Sequence, residues 1–294
     1  MRTYLDCFSC FMDHGLGIAR RSGLDEPQQR EVLNRVAEML PGFSSDASPP
    51  QMSLQINRMI REITGEPDPF AGEKQQSNRM ALEAAPEVRR LIARSTQPLR
   101  TAVEFAIAGN SIDLGVSTDL DLPQAMQQLV EDEESRIGAE APENFALSAL
   151  KADLAGADTL LFIADNAGEI VFDMLLIEQL HADFPQLKIT VAVRHAPIIN
   201  DATLEDAEAI GLTELVPVIS SGSEAPGTIL SMCNAKFTGL FDSADVVISK
   251  GQGNYETLSE VERGMYFLFK TKCKVIARHS GSEVGDIMLV RKAG

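Results

Sequence analysis

Hydrophobic positions follow two different rhythms along this chain. From Arg20 to Leu40, charged residues are interleaved with Val32, Leu33, Val36 and Leu40 at helical spacing. Ser48-Pro49-Pro50 breaks that pattern, and GEPDPFAG at 65–72 breaks it again. Helical periodicity resumes over 73–95 and 98–108. Residues 1–110 therefore read as a helical domain without a convincing strand. Near Thr159 the texture changes to apolar, β-branched runs: Thr159–Ala164, Leu187–Val193, Leu215–Ile219, Val246–Ser249 and Cys273–Ala277. Helical patterns such as Glu169–Leu180 and Thr203–Ile210 lie between most of them. Strands alternating with helices predict a mostly parallel sheet covered on both faces. Residues 111–294 read as this second, α/β domain, entered through helices expected at 123–136 and 143–154.

In such a sheet, ligands collect outside the carboxyl ends of the strands. Three strand ends carry polar chemistry here. The first is Asp165-Asn166-Ala167-Gly168-Glu169. The second is Arg194-His195, running on to Asn200-Asp201, and the third is Lys250-Gly251-Gln252-Gly253-Asn254. If the strands are parallel, all three open on one edge. Carboxylates and an amide suit a hard divalent cation. Lys, Arg and helix N-termini suit a phosphate. Together they make the parts of a metal-assisted phosphoryl site.

Plainer readings exist for each part. Asp165 with Glu169, and Asn200 with Asp201, read equally well as helix caps. GQGN reads as a turn, and His195 as a loop residue. Asn110 and Asp113 sit in AIAGNSIDLG (106–115), either behind a C-capping Gly109 or on a loop that reaches the sheet edge. Thr118-Asp119-Leu120-Asp121 holds the DxD of aspartyl-phosphate phosphatases but lacks the apolar strand that should precede it. Cys7-x-x-Cys10 reads as two thiols of an amphipathic helix, or as half of a zinc or redox site.

Bulk properties narrow the partners. Of the 294 residues, 26 are basic and 43 acidic, a net charge of −17. That field repels nucleic acid and anionic lipid, so neither is expected as a partner. A phosphorylated substrate would need a metal or a local cation to reverse the sign. No apolar run approaches membrane length, and the N-terminal residues do not form a signal peptide, so the expected location is cytoplasmic. Four cysteines do not make a disulfide scaffold. Nothing in the pattern fixes the oligomeric state.

CFSC at 7–10, AGNSIDLG at 108–115, DNAGEIVFD at 165–173, Asn200-Asp201 and KGQGNYETL at 250–258 occur in this order over most of the chain. They resemble the damage-control phosphatase family, long catalogued as a domain of unknown function, in its short CxxC-containing, mainly prokaryotic branch. The resemblance implies a helical N-terminal domain joined to a three-layer α/β/α domain with a Rossmann-like sheet. It implies a metal-dependent phosphatase of small phosphorylated metabolites. By the family pattern, Asp165, Asn166 and Asp201 hold the metal, expected as Mn²⁺ or Mg²⁺ with Co²⁺ or Ni²⁺ as alternatives, and Lys250 binds phosphate. Gly251, Asn254, Asn110, Asp113 and Arg194 are expected near the substrate, and Glu169 or another nearby carboxylate as the base. Attack by water and a phospho-enzyme both remain open. Two rival readings stand beside this one. The first is a methyltransferase using S-adenosylmethionine, although the usual Gly-rich turn is missing. The second is a non-catalytic protein that binds phospho-metabolites around a metal.

Overall fold

The computed structural model describes residues 1–109 and 145–294. Asn110, Asp113, the DxD at 119–121 and the helix expected at 123–136 lie outside the described residues.

The first part of the chain is helical, as its periodicity predicts: α1 (Asp6–Arg21), α2 (Glu26–Met39), α3 (Pro49–Thr64), α4 (Ala71–Arg94) and α5 (Pro98–Ala108). The punctuation is local chemistry. Asp25 and Gln28 form a capping box at the start of α2, with Gln28 N–H donating to Asp25 Oδ1 at 2.9 Å. Ser48 and Gln51 do the same for α3, and Pro49 and Pro50 fill its first positions, where no N–H partner is needed. Gly65 ends α3 in the left-handed region at φ 67°.

Six strands follow: β1 (Thr159–Ile163), β2 (Lys188–Val193), β3 (Val218–Ser220), β4 (Val246–Lys250), β5 (Met265–Lys270) and β6 (Ile287–Lys292). Their order in the sheet is β3-β2-β1-β4-β5-β6. All pairings are parallel except the last, where β6 runs against β5. Around the sheet lie α6 (Leu147–Ala155), α7 (Glu169–Asp183), α8 (Leu204–Ala209), α9 (Leu212–Leu215), α10 (Ala235–Ser243), α11 (Gln252–Leu258) and α12 (Lys274–Ser280). Chain direction across the sheet reverses between β1 and β4. That switch point leaves a crevice at the carboxyl ends of these two strands.

Alternate strand residues feed two apolar layers. Leu160, Phe162, Val191 and Ile248 pack with α4, α5 and α7 on one face. Leu161, Ile163, Val247 and Phe267 pack with α1, α2, α3 and α11 on the other. The N-terminal helices thus share both apolar layers with the sheet.

Two strand expectations need correction. The run Leu215–Ile219 forms a strand only from Val218, because Leu212–Leu215 closes a short helix. Cys273–Ala277 is no strand: it forms the start of α12 and buries Val275 and Ile276 together. Tertiary packing overrides β propensity there. The strands that flank it, MYFLFK and IMLVRK, carry the end of the sheet instead.

Candidate active site

The turn after β1 is built as an extension of the sheet. Ala202 N–H donates to the Asp165 carbonyl at 2.7 Å, and Ala167 N–H donates to the Asn200 carbonyl at 2.8 Å. Asn166 and Asp201 face each other as partners of an antiparallel bridge. Residues far apart in sequence are thus fixed side by side by backbone bonds. The tight return that brings Asp201 into place passes through Ile199, at φ 39°. It is the one non-glycine residue with positive φ among the described residues, a costly conformation for a β-branched side chain.

The capping readings of Asp165 and Asp201 fall away, while Glu169 does stand in the first turn of α7, where its charge favours the helix dipole. Gly168, at φ 78°, is the N-cap of α7, and Thr203 is the N-cap of α8, in a capping box with Asp206. Neither Asp165 nor Asp201 caps a helix.

Asp165, Asn166, Arg194 and Asp201 converge, all of them buried. Arg194 donates from Nε to Asp201 Oδ2 at 2.6 Å and from Nη2 to Asp165 Oδ1 at 3.4 Å. It also reaches Thr228 Oγ1 at 3.1 Å and Asn254 Oδ1 at 3.1 Å. Asn166 Nδ2 donates to Asp165 Oδ2 at 3.0 Å and to Glu169 Oε2 at 3.3 Å. Gly251 lies directly against Asp165: a Cβ there would sit 1.9 Å from Asp165 Oδ2, and the residue holds φ 80°. Only glycine lets the two loops close to this distance.

Lys250 ends β4 with no exposed surface. Its ammonium donates to the Ala106 carbonyl at 2.7 Å, to Glu169 Oε1 at 2.6 Å and to Asp173 Oδ1 at 2.5 Å. These bonds engage all three of its protons. A phosphate contact would need one of them released. Asn254 is equally enclosed. It donates to the Lys250 and Ala164 carbonyls at 2.7 and 3.2 Å and accepts from Arg194 and Thr228, so it ties the ends of β1 and β4 together. His195 is exposed and reaches Ser220 Oγ.

The electrostatics follow from burial. Burial drives the Glu169 carboxyl up to about 8, opposed by Lys250 and reinforced by Asp173 and Asp165. Burial raises Asp173 to about 6 against Lys250, and Asp201 to about 7 against Arg194. Burial pulls Lys250 down, but Asp173 and Glu169 outweigh it and push the ammonium up to about 12. One ammonium between two buried carboxylates leaves room for a further proton on the acids.

Some residues that build this site carried little signal in the sequence. Asn78 of α4 accepts the Gly168 N–H at 2.6 Å and donates to Asp206 Oδ1 at 3.1 Å. Lys74 pairs with Asp206 at 3.0 Å and Asp68 at 3.2 Å. Asp206 also accepts from Thr203. This buried network clamps the turns that carry Asn166 and Asp201. Asp173 was legible as the position four residues after Glu169 on one helix face, and Asp206 as the third residue of a capping box. Lys74 and Asn78 had no such mark.

A cleft of about 460 Å³ adjoins this cluster at Asn166 and Glu169; Asp165, Arg194, Asp201 and Lys250 do not line it. Asn166, Gly168, Glu169 and Asn200 line it, together with Asp13, His14 and Arg21 of α1 and Glu73 and Ser77 of α4. Gly109, at the end of α5, also lines it, and the Phe172 ring occupies the space its Cβ would need, at 2.5 Å. Among the described residues, no group of three or more His, Cys, Asp or Glu is arranged to hold a metal, at the CxxC or elsewhere. Burial raises the thiols of Cys7 and Cys10.

Glu256 of α11 gives a pH test of this buried acidity. Burial raises its carboxyl to about 7, with Gln252 and the Met1 ammonium opposing and Asp165 adding. A raised folded pKa means that stability from this group is full below the ordinary value of 4.5 and is lost as pH rises through about 7. Glu256→Gln should melt with the parent at pH 4.5 and above it at pH 8. Identical melting curves at both pH values would refute the assignment.

Fold and site together define an α/β protein with its polar centre at the carboxyl edge of a mostly parallel sheet. The chain belongs to the damage-control phosphatase family: residues 3–288 match the damage-control phosphatase ARMT1-like domain. It is similar to an uncharacterized protein of Methanocaldococcus jannaschii, 33% identical over 98% of this chain and 94% of the other. It is also similar to a damage-control phosphatase of Pyrococcus horikoshii, 31% identical over 99% of this chain and 98% of that one. A crystal structure of a DUF89 family protein from Pyrococcus horikoshii superposes with a TM-score of 0.87 at 31% identity, covering 99% of each chain. Family membership supports a phosphatase acting on damaged metabolites. Among the described residues no helix is long and apolar enough to cross a membrane.

Proposed function

We propose that the protein is a metal-dependent phosphatase that releases phosphate from small phosphomonoesters, such as sugar phosphates or damaged phospho-metabolites. The observation that carries this reading is the convergence of Asp165 and Asp201 on one guanidinium, with Asn166 placed opposite Asp201. Four buried carboxylates, Asp165, Glu169, Asp173 and Asp201, face two buried cations, Arg194 and Lys250. Such a deficit of positive charge suits a divalent cation, and the raised carboxyls of Glu169 and Asp201 are what the same cluster shows when protons make up the difference.

Asp165, Asn166 and Asp201 would hold the cation through oxygen donors that fit Mn²⁺, Mg²⁺, Co²⁺ or Ni²⁺. When bound, it would supply Lewis-acid polarisation of a phosphoryl oxygen. Arg194 fixes the spacing of the two aspartates. The N-terminus of α7 borders the cleft at Gly168 and Glu169, where its positive end favours phosphoryl charge. Glu169 is the proton carrier: its Oε1 is held by Lys250, and its Oε2 lies beside the Asn166 amide. Lys250 sets the charge and orientation of Glu169, and would meet phosphate directly only by releasing one of its three partners.

Phosphate release from p-nitrophenyl phosphate and a panel of sugar phosphates tests this reading. Chelator-stripped protein should be inactive and should recover with one or more of Mg²⁺, Mn²⁺, Co²⁺ and Ni²⁺. Turnover that persists without any metal would overturn metal dependence. Saturable binding of these esters without release under every condition would favour the non-catalytic reading.

A further inference from the structure

The cleft that Asn166 and Glu169 line also holds a histidine with a defined tautomer. His14, on α1, lines the cleft, and its Nε2 lies 2.9 Å from Asn57 Nδ2. The same Asn57 nitrogen donates to the Ser53 carbonyl at 2.8 Å. That second bond fixes the amide: its nitrogen, with two protons, must face both the carbonyl and the ring. His14 Nε2 therefore accepts, and the ring proton sits on Nδ1. Among the described residues, Asn57 is the ring's one hydrogen-bond partner.

We propose that His14 is a substrate-contacting residue of this phosphatase, donating from Nδ1 to an oxygen of the part of the substrate that is not phosphorylated. The inference rests on the phosphatase reading and deepens it. The cleft volume of about 460 Å³ lies within the range of small-molecule sites, with room for a tail beyond the phosphoryl group. Burial, with Arg21 adding, lowers His14 to about 4, so the ring is a neutral donor at physiological pH. Asp13 lines the same cleft, and Glu73 there is paired with Arg21 at 2.9 Å. A neutral donor suits a hydroxyl or carbonyl oxygen. The residue thus favours esters with a hydroxylated tail over esters with an apolar one.

The test compares kcat/KM for a hexose monophosphate with that for p-nitrophenyl phosphate, whose ring offers no hydroxyl, on metal-loaded protein. One neutral hydrogen bond corresponds to roughly a twofold to tenfold preference. His14→Ala should lower the hexose-to-nitrophenyl ratio by up to about tenfold, and His14→Gln, which keeps a donor, should restore part of it. Nitrogen-15 spectra of the ring should show a proton on Nδ1 and none on Nε2, and Asn57→Leu should abolish that preference. A ratio unchanged by His14→Ala in a folded protein, or a proton on Nε2 in the parent, would overturn the proposal. Failure of the parent to release phosphate from either ester would defeat the phosphatase reading itself, and this inference with it.

Discussion

Asp165→Asn should lower metal-dependent phosphate release by about a thousandfold, roughly 4 kcal/mol of lost transition-state stabilisation. The carboxylate receives hydrogen bonds from Arg194 and Asn166 and lies directly against Gly251. An amide has the same shape and gives up one of these two accepted bonds, where its nitrogen replaces an oxygen, so the fold should be retained. What it removes is one negative charge from the acids proposed to hold the cation. Chelator-stripped variant and parent should be compared across a metal titration, with far-ultraviolet circular dichroism as the fold control. A variant that keeps a tenth or more of the parent rate with the same metal response would remove Asp165 from the ligand set.

Lys250→Met should be the most destabilising single change, by about 3–5 kcal/mol in chemical denaturation. Removal of the ammonium leaves Glu169 and Asp173, both buried, without the cation that pairs with each. Asp173 Oδ2 already has no hydrogen-bond partner, so little can rearrange to compensate. The cost comes from stranded acids rather than from lost packing. Lys250→Met combined with Glu169→Gln and Asp173→Asn should therefore recover much of the stability without recovering turnover. A stable single variant would show that the three groups are not coupled through charge.

How much of this was legible in the chain follows from the physics of each element. β1, β2 and β4 were legible because each is an apolar run that ends at a polar or charged residue within an alternating pattern. In a parallel sheet such ends share one edge, so the placing of Asp165, Arg194 and Lys250 at one edge followed from topology, while Asp201, beyond the end of β2, is brought there by its bridge to Asn166. Leu215–Ile219 and Cys273–Ala277 misled because short apolar runs have no period long enough to separate strand from helix. The antiparallel edge formed by β6 left no local mark either.

The sequence by itself determined the helical first part, the mostly parallel sheet, the family, and the residues that meet at its switch point. Only the tertiary structure decided how those residues are partnered. Lys250 reads in sequence as a free cation at a strand end, yet long-range packing encloses it between Glu169, Asp173 and a carbonyl of α5. Asn78, Lys74 and His14 come from helices that sequence patterning marks only by their apolar faces. Their polar side chains came to the cleft and the site's turns only when α1 and α4 docked against the strand ends. Periodicity encodes which face of an element is buried; it does not encode which polar group will meet another across two elements, because that depends on where the packed helices come to rest.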